Sequence, residues 1–387
     1  MATRAPTLRI VFIGLLSLAI AMGIGRFAFT PLLPLMRDDE LISIADGGVL
    51  ASVHFMGYWL GAVFAARLPL APKTTLRVSL FAIALATFGM GLTADFFAWL
   101  ALRWISGACS AFILVIVSNF YVKRLAAIGR AEMQGWVFSG VGTGIAATGL
   151  GVLAILVAEI GSALSWRIFG VVSLIAAAVV SRRLGAEIPG VRIADADGDS
   201  PSTPLAWKLI VAYGAAGIGY IIPATYLPVV AREIVQSPLV FGWSWPIFGS
   251  AAFLSTLLAS RLHARFSNRQ IWTASQVVMA AGLVLPVLWS TINVVILSSI
   301  CVGGTFMIIT MAGIKEVHRI APENDVMRHI AAMTAAFATG QMIGPVFASS
   351  IYDLTGSFAH ALLVTGAMLI ATAATLMYPR QERTLCP

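Results

Sequence analysis

Gly23-Ile24-Gly25-Arg26, followed by Leu33-Pro34, returns later in the chain as Gly217-Ile218-Gly219-Tyr220, followed by Leu227-Pro228. The offset is 194 throughout, close to half of the 387 residues. Arg67 maps onto Arg261 at the same offset, and Gly161-Ser162 maps onto Gly356-Ser357 at 195. Gly140 and Gly144 map onto Gly340 and Gly344 at 200. A near-constant shift of half the chain length marks an internal duplication. Both copies lie in long apolar runs, so the duplicated unit is a set of apolar segments.

Composition says where those segments reside. Charged residues make up 11% of the chain and hydrophobic residues 59%, against about 25% charged in ordinary soluble domains. So few charges do not cover a soluble domain of this size. A cytosolic enzyme, a disordered chain and a secreted disulfide scaffold are excluded. Cys109 and Cys301 lie in apolar runs and Cys386 is next to last, which gives no disulfide framework.

Apolar runs of spanning length cover 10–36, 47–68, 76–93, 96–121, 135–158, 165–181, 207–230, 240–260, 271–291, 294–314, 330–352 and 358–378. A spanning helix takes about 20 residues. Lipid offers the backbone no hydrogen bonds, so such runs must be helical. The alternating pattern of an outer-membrane barrel is absent. Ala19-Ile20-Ala21 resembles a signal-peptidase site, but the run continues to Met36, which reads as an uncleaved first helix. The expectation is an all-α polytopic membrane protein, with 12 transmembrane helices in two pseudo-symmetric six-helix bundles. The bundles are residues 1–181 and 207–387, joined by a cytoplasmic linker at 182–206. Asp195-Ala196-Asp197-Gly198-Asp199 in that linker lacks the glycine and glutamate positions of a calcium loop, so no metal is expected.

Charge sorting sets the orientation. Alternate loops and the two tails carry 20 of the 25 Lys and Arg, while the opposite loops carry only Arg37, Arg167 and Arg232. By the positive-inside rule both termini are cytoplasmic and the span count is even. The net charge of +8 therefore describes topology, and nucleic acid is not an expected partner.

Two arginines remain inside the bilayer. Arg26 is roughly 15 Å from the outer end of the first span, and Arg103 and His54 are roughly 10 Å from the outer ends of the fourth and second. Intramembrane ionisable residues are costly and mark function. A guanidinium fork suits a carboxylate or phosphate. Tyr220, in the other half, is the counterpart of Arg26. The expectation is a small organic anion gripped by Arg26 and Arg103, with Tyr220, Thr30 and Gln341 as further contacts. The competing reading has Arg26 bonding carbonyls freed by Pro31 and Pro34. No Asp or Glu sits at mid-span, so a proton carrier, if one is used, is His54, Asp46, Asp353 or the substrate itself. Pro31, Pro34, Pro223 and Pro228 are expected to kink the first and seventh helices. Gly140, Gly144, Gly340 and Gly344 have one-turn spacing suited to close helix packing.

The architecture resembles the major facilitator superfamily of secondary transporters. Arg103-Trp104-Ile105-Ser106-Gly107 resembles its fourth-helix motif, with Ser106 in place of the usual Gln. Ser165-Trp166-Arg167 resembles the opening of its sixth helix. Gly23 to Pro34, Gly340-Gln341-Met342-Ile343-Gly344-Pro345 and Tyr352-Asp353-Leu354-Thr355-Gly356-Ser357-Phe358 look like the YbfB/YjiJ-type subgroup. The resemblance implies that helices one, four, seven and ten line a central path, which places Arg26 and Arg103 on it. It also implies that helices five and eleven, with the four glycines and Pro345, lie between the halves and let them rock. Two motifs depart from the superfamily. Gly61 is followed four residues on by Ala65 rather than Asp, and Ile145 stands where an antiporter motif has Pro.

The expected function is a secondary carrier of an organic anion or amphipathic metabolite, working by rocker-switch alternating access in the inner membrane as a monomer. H+ is the candidate coupling ion, and no cofactor is expected. The alternatives are a broad multidrug or metabolite efflux carrier without anion preference, and a membrane sensor in a transporter's fold. No His, Cys, Asp or Glu cluster such as HExxH supports an enzyme, and two unlike halves give no ring of like residues for a channel.

Overall fold

A computed structural model describes residues 4–64, 71–184, 204–235, 237–263, 265–322 and 325–377. The linker residues 185–203, Arg67 and both ends of the chain lie outside the described residues. Every apolar run falls on helix within the described residues. The first run comprises α1 (Arg4–Leu18), a π-helix (Ala19–Arg26) and α2 (Phe29–Asp38). Then come α3 (Ile44–Phe64), α4 (Pro72–Met90) and α5 (Phe96–Ile116), the last continuing through a π turn into α6 (Lys123–Ala127). Next are α7 (Gln134–Val157) and α8 (Ser162–Arg183). The second half holds α9 (Trp207–Ile234), the short α10 (Pro238–Phe241), α11 (Ser244–His263), α12 (Asn268–Leu288), α13 (Ile292–Ile320), α14 (Val326–Thr355) and α15 (Ala359–Met377).

Local chemistry places several ends. Pro72 opens α4, where its missing N–H is no loss. Asp95 caps α5 by accepting from the Ala98 N–H, and Ser267 and Gln270 form a capping box on α12. Gly356 ends α14 with φ +69, a left-handed conformation that glycine adopts without strain.

Ten of the described helices are long and apolar enough to cross a membrane. The protein is therefore an integral membrane protein. The helix α4 falls short of that standard because Lys73 and Arg77 stand in its first turns, and α11 runs over 20 residues, of which Ser244–Ala259 is a shorter apolar stretch.

Burial identifies the centre. In the first run and α9, 67% and 83% of the apolar window is buried inside the protein, against 33–56% in the other eight. These two helices exchange lipid contact for protein contact, and the candidate site lies between them.

Glycine sets the closest crossings. A Cβ on Gly107 would lie 2.0 Å from the His54 carbonyl oxygen, so α3 and α5 meet backbone to backbone. Gly140 and Gly144, expected between the halves, instead face the first run: their added Cβ atoms would meet the Leu15 and Ala19 carbonyls at 2.2 and 2.5 Å. Gly340 and Gly344 likewise face α9, against Gly214 and Ile221. The contact of α7 with α11 is made on another face of α7, where an added Cβ on Gly142 would lie 2.3 Å from the Phe253 nitrogen and one on Gly249 2.3 Å from the Ala146 nitrogen. The four glycines pack helices within each half because the small-residue stripe allows close approach on whichever side a partner stands.

Candidate functional site

The first run is not one α-helix. Ala19–Arg26 winds as a π-helix, and the Phe27 N–H reaches back to the Met22 carbonyl at 3.2 Å. Such segments are rare and concentrate at functional sites. Neighbouring helices supply donors to the carbonyls of this segment. Arg103 donates through Nη1 to Gly25 O (3.1 Å) and through Nη2 to Arg26 O (3.4 Å). The Ser106 hydroxyl donates to Gly25 O at 2.9 Å, while the single hydrogens of Ser110 and Thr148 are shared between this segment, at Ala21 O (3.0 Å) and Gly23 O (3.1 Å), and nearer carbonyls of their own helices, Ser106 O (2.7 Å) and Gly144 O (2.5 Å). Replacing Thr148 by Val keeps the shape and removes the hydrogen that the Gly23 and Gly144 carbonyls share. We expect a loss of about 1 kcal/mol, read as a lower melting temperature; an unchanged value would show that the π segment does not depend on that bond.

Arg26 emerges at the end of this segment. Its Nη2 donates to the Tyr220 hydroxyl, Nη1 approaches the Met22 sulfur at 3.7 Å, and Nε has no partner. Gln341, on α14, donates through Nε2 to the same Tyr220 oxygen at 2.9 Å. Four rings surround the guanidinium carbon: Phe55 at 4.7 Å, Phe27 at 4.9 Å, Tyr58 at 5.2 Å and Tyr220 at 5.8 Å. Tyr220 is stacked between Phe306 at 4.9 Å and Phe337 at 5.6 Å. Ring faces attract a cation but do not neutralise it.

Arg26 is 7% exposed and Arg103 3%. Neither has a carboxylate partner among the described residues, whose ion pairs include Arg130–Glu132, Arg232–Asp38 and Glu316 with Arg269 and Arg319. Tyr220 Oη accepts twice, which leaves its own hydrogen and the Gln341 Oε1 acceptor both without a partner. Turning the Gln341 amide over would satisfy that hydrogen and leave the amide NH2 unpaired instead.

Three side-chain contacts join a residue to the one 194 positions on. Besides Arg26–Tyr220, Thr30 donates to the Ala224 carbonyl and Arg232 pairs with Asp38. Arg232 also donates to the Pro34 carbonyl at 3.2 Å. His54 is fully buried, with Nδ1 3.2 Å from the Arg103 carbonyl. Asp46 lies at the start of α3, accepting from the Ser43 N–H and hydroxyl. Asp353 is exposed near the end of α14. The Pro345 carbonyl accepts from Tyr226 Oη at 3.0 Å. Pro31 and Pro34 lie in α2 beyond the break, which falls at Phe27-Ala28, and Pro223 and Pro228 sit within a continuous α9. The carbonyls that attract an arginine belong to the π segment, and the arginine is Arg103 rather than Arg26.

A family described as "Uncharacterised MFS-type transporter YbfB" matches residues 18–377. The chain belongs to this family of MFS-type transporters. An uncharacterized MFS-type transporter of Yersinia enterocolitica, YE1530, is 21% identical over 382 residues, covering 96% of this chain and 95% of the relative. The Bacillus subtilis MFS-type transporter YceJ is 27% identical over 258 residues, covering 65% of this chain and 59% of its own. Crystal structures of the nucleoside transporter NupG share the fold. A point mutant gives a TM-score of 0.74 at 13% identity, covering 96% of this chain and 98% of that one, and a second NupG structure gives 0.69 at 14%.

In this MFS-type transporter the structure brings Arg26, Tyr220 and Gln341 together, sets Thr30 one turn away on α2, and leaves Asp46 and Asp353 at helix ends. Sequence reasoning missed Ser106, Ser110 and Thr148, whose partners are carbonyls. It also missed the aromatic box. The pairing of Asp38 with Arg232 had a signal: opposite charges at the repeat offset.

Proposed function

We propose that the protein is a secondary active transporter of a small organic anion, working by alternating access in the cytoplasmic membrane. One observation carries the reading. Two guanidiniums are buried at the centre with no carboxylate partner among the described residues, and Arg26 keeps one donor, Nε, without an acceptor. A buried charge demands a counter-charge, and a mobile anion supplies one. Arg26, with its free Nε and the Tyr220 hydroxyl, makes the substrate contact. Arg103 is a positioning residue that holds the π segment so that Arg26 points inward.

Alternating access has its own support. In a pair of repeats related by a two-fold axis, residues touch their own mates only at the axis. The 194-residue ladder supports a reading in which the first run and α9 lie at that axis and two six-helix halves rock about it. All twelve helical runs cross the membrane in this reading, with the termini and the 182–206 segment in the cytosol. The Asp38–Arg232 pair then lies at the outer face and closes it. Asp38→Asn should loosen that closure. Labelling of Thr30→Cys by an impermeant maleimide added outside, with the native cysteines replaced, should rise several-fold; unchanged labelling would exclude Asp38 from the closure.

A thermal-shift screen of purified protein tests the substrate class. A ligand of the native state raises its stability by RT ln(1 + [L]/Kd). Carboxylates or phosphates should stabilise the protein. Stabilisation by cations or neutral nucleosides with none by anions would refute the reading.

A further inference from the structure

His54 lies on α3 beside both guanidiniums and is 0% exposed. Its Nδ1 faces the Arg103 carbonyl oxygen at 3.2 Å. A carbonyl only accepts, so Nδ1 carries the hydrogen and Nε2 keeps a bare lone pair. That Nε2 is buried and has no hydrogen-bond partner. A fixed tautomer with an unoccupied basic nitrogen is a proton acceptor without an assigned proton.

Its surroundings define when a proton can be accepted. The charges that act on the ring are Arg103, on α5, and Arg26, on the first run. Tyr58, one turn along α3, is the next titratable group, and its ring faces Arg26. No carboxylate acts on the imidazole among the described residues. A proton on Nε2 would thus be a third positive charge beside two. An anion seated at Arg26 offsets that repulsion, because opposite charges entering one low-dielectric site favour each other. The remaining carboxylates are poorly placed to carry a proton with the anion, since Asp46 is bonded to Ser43 at a helix start and Asp353 is exposed.

We propose that His54 Nε2 is the coupling-proton site of this transporter, so that the organic anion binds together with one proton and the pair crosses as a neutral unit. The inference rests on the anion reading of the Arg26 site. In the loaded state the proton forms an N–H bond at Nε2, and it returns to water when the anion leaves on the other side.

Benzoate is a suitable probe, being a carboxylate on a ring that matches the aromatic walls and remaining ionised between pH 6 and 8. Benzoate binding to the purified full-length protein is followed by its melting shift across that range. Proton uptake is read at the same time with an indicator dye in weak buffer. The proposal predicts that Kd rises about tenfold per pH unit, the signature of one linked proton, with one proton taken up per benzoate bound. His54→Asn keeps an amide donor for the Arg103 carbonyl but cannot be protonated there, and its Kd should be independent of pH. Arg26-dependent binding without uptake, or with the same pH slope in His54→Asn, would overturn the proton site and leave the anion reading standing. No Arg26-dependent binding of benzoate would remove both. The uptake measurement on the wild type decides the matter even where the variant does not fold.

Discussion

Arg26→Met should abolish ligand binding without lowering the melting temperature of the unliganded protein. The first half follows from charge. Truncating one member of a buried, charge-assisted contact costs about 2–5 kcal/mol, so affinity for a carboxylate should fall at least about thirtyfold. The second half separates a substrate contact from a structural one. Arg26 holds an unpartnered positive charge at 7% exposure, and a charge in the membrane costs at least about 2.5 kcal/mol on insertion scales. Its compensation is one bond to Tyr220, a contact with the Met22 sulfur and four ring contacts. Methionine fills the space with an adaptable apolar chain that itself packs well on aromatic rings, and Tyr220 keeps its bond to Gln341. A melting temperature several degrees below wild type, with ligand affinity retained, would make Arg26 a structural residue.

The largest stability effect is expected at Gly107. An alanine Cβ there would lie 2.0 Å from the His54 carbonyl oxygen and 3.0 Å from the Tyr58 nitrogen. Both obstacles are backbone and cannot rotate away, so α3 and α5 must separate. Overpacking typically costs about 1–3 kcal/mol and occasionally more; a backbone collision belongs at the upper end, about 3 kcal/mol or above. The same displacement moves His54 away from Arg103, so ligand binding should weaken too. Gly304→Ala is the control, because its added Cβ would meet only the Ala251 methyl at 4.0 Å. That change should stabilise slightly, since alanine is favoured over glycine in a helix by about 1 kcal/mol. Equal melting temperatures for the two variants would contradict the packing described for α3 and α5.

Much of this architecture is legible in the sequence because hydropathy and the repeat speak about long segments. Ten of the apolar runs match helices of spanning length, and the offset of 194 reappears as the separation within three physical contacts. What the sequence does not reveal is how one backbone is satisfied by another. The π winding of Ala19–Arg26 depends on donors from Arg103, Ser106, Ser110 and Thr148, which lie 77 to 125 residues away. No local pattern announces such pairing. The same gap explains Arg103: its type and depth point to an anion grip, while its fork faces two carbonyls. The glycine stripes show the converse limit. Their spacing says that something packs closely, and the identity of the neighbour depends on the tertiary arrangement. The opposite charges of Asp38 and Arg232 are readable in principle, since they stand at the same offset of 194 as the repeat.

The central claim is that a ligand anion completes the charge balance at Arg26. A structure of the transporter with its best-stabilising carboxylate bound tests this most directly. The account predicts a carboxylate oxygen within hydrogen-bonding distance of Arg26 Nε and the Tyr220 hydroxyl, with the ligand's body against Phe27, Phe55 and Tyr58. A ligand seated elsewhere, with the Arg26 guanidinium still lacking an anionic partner, would contradict it.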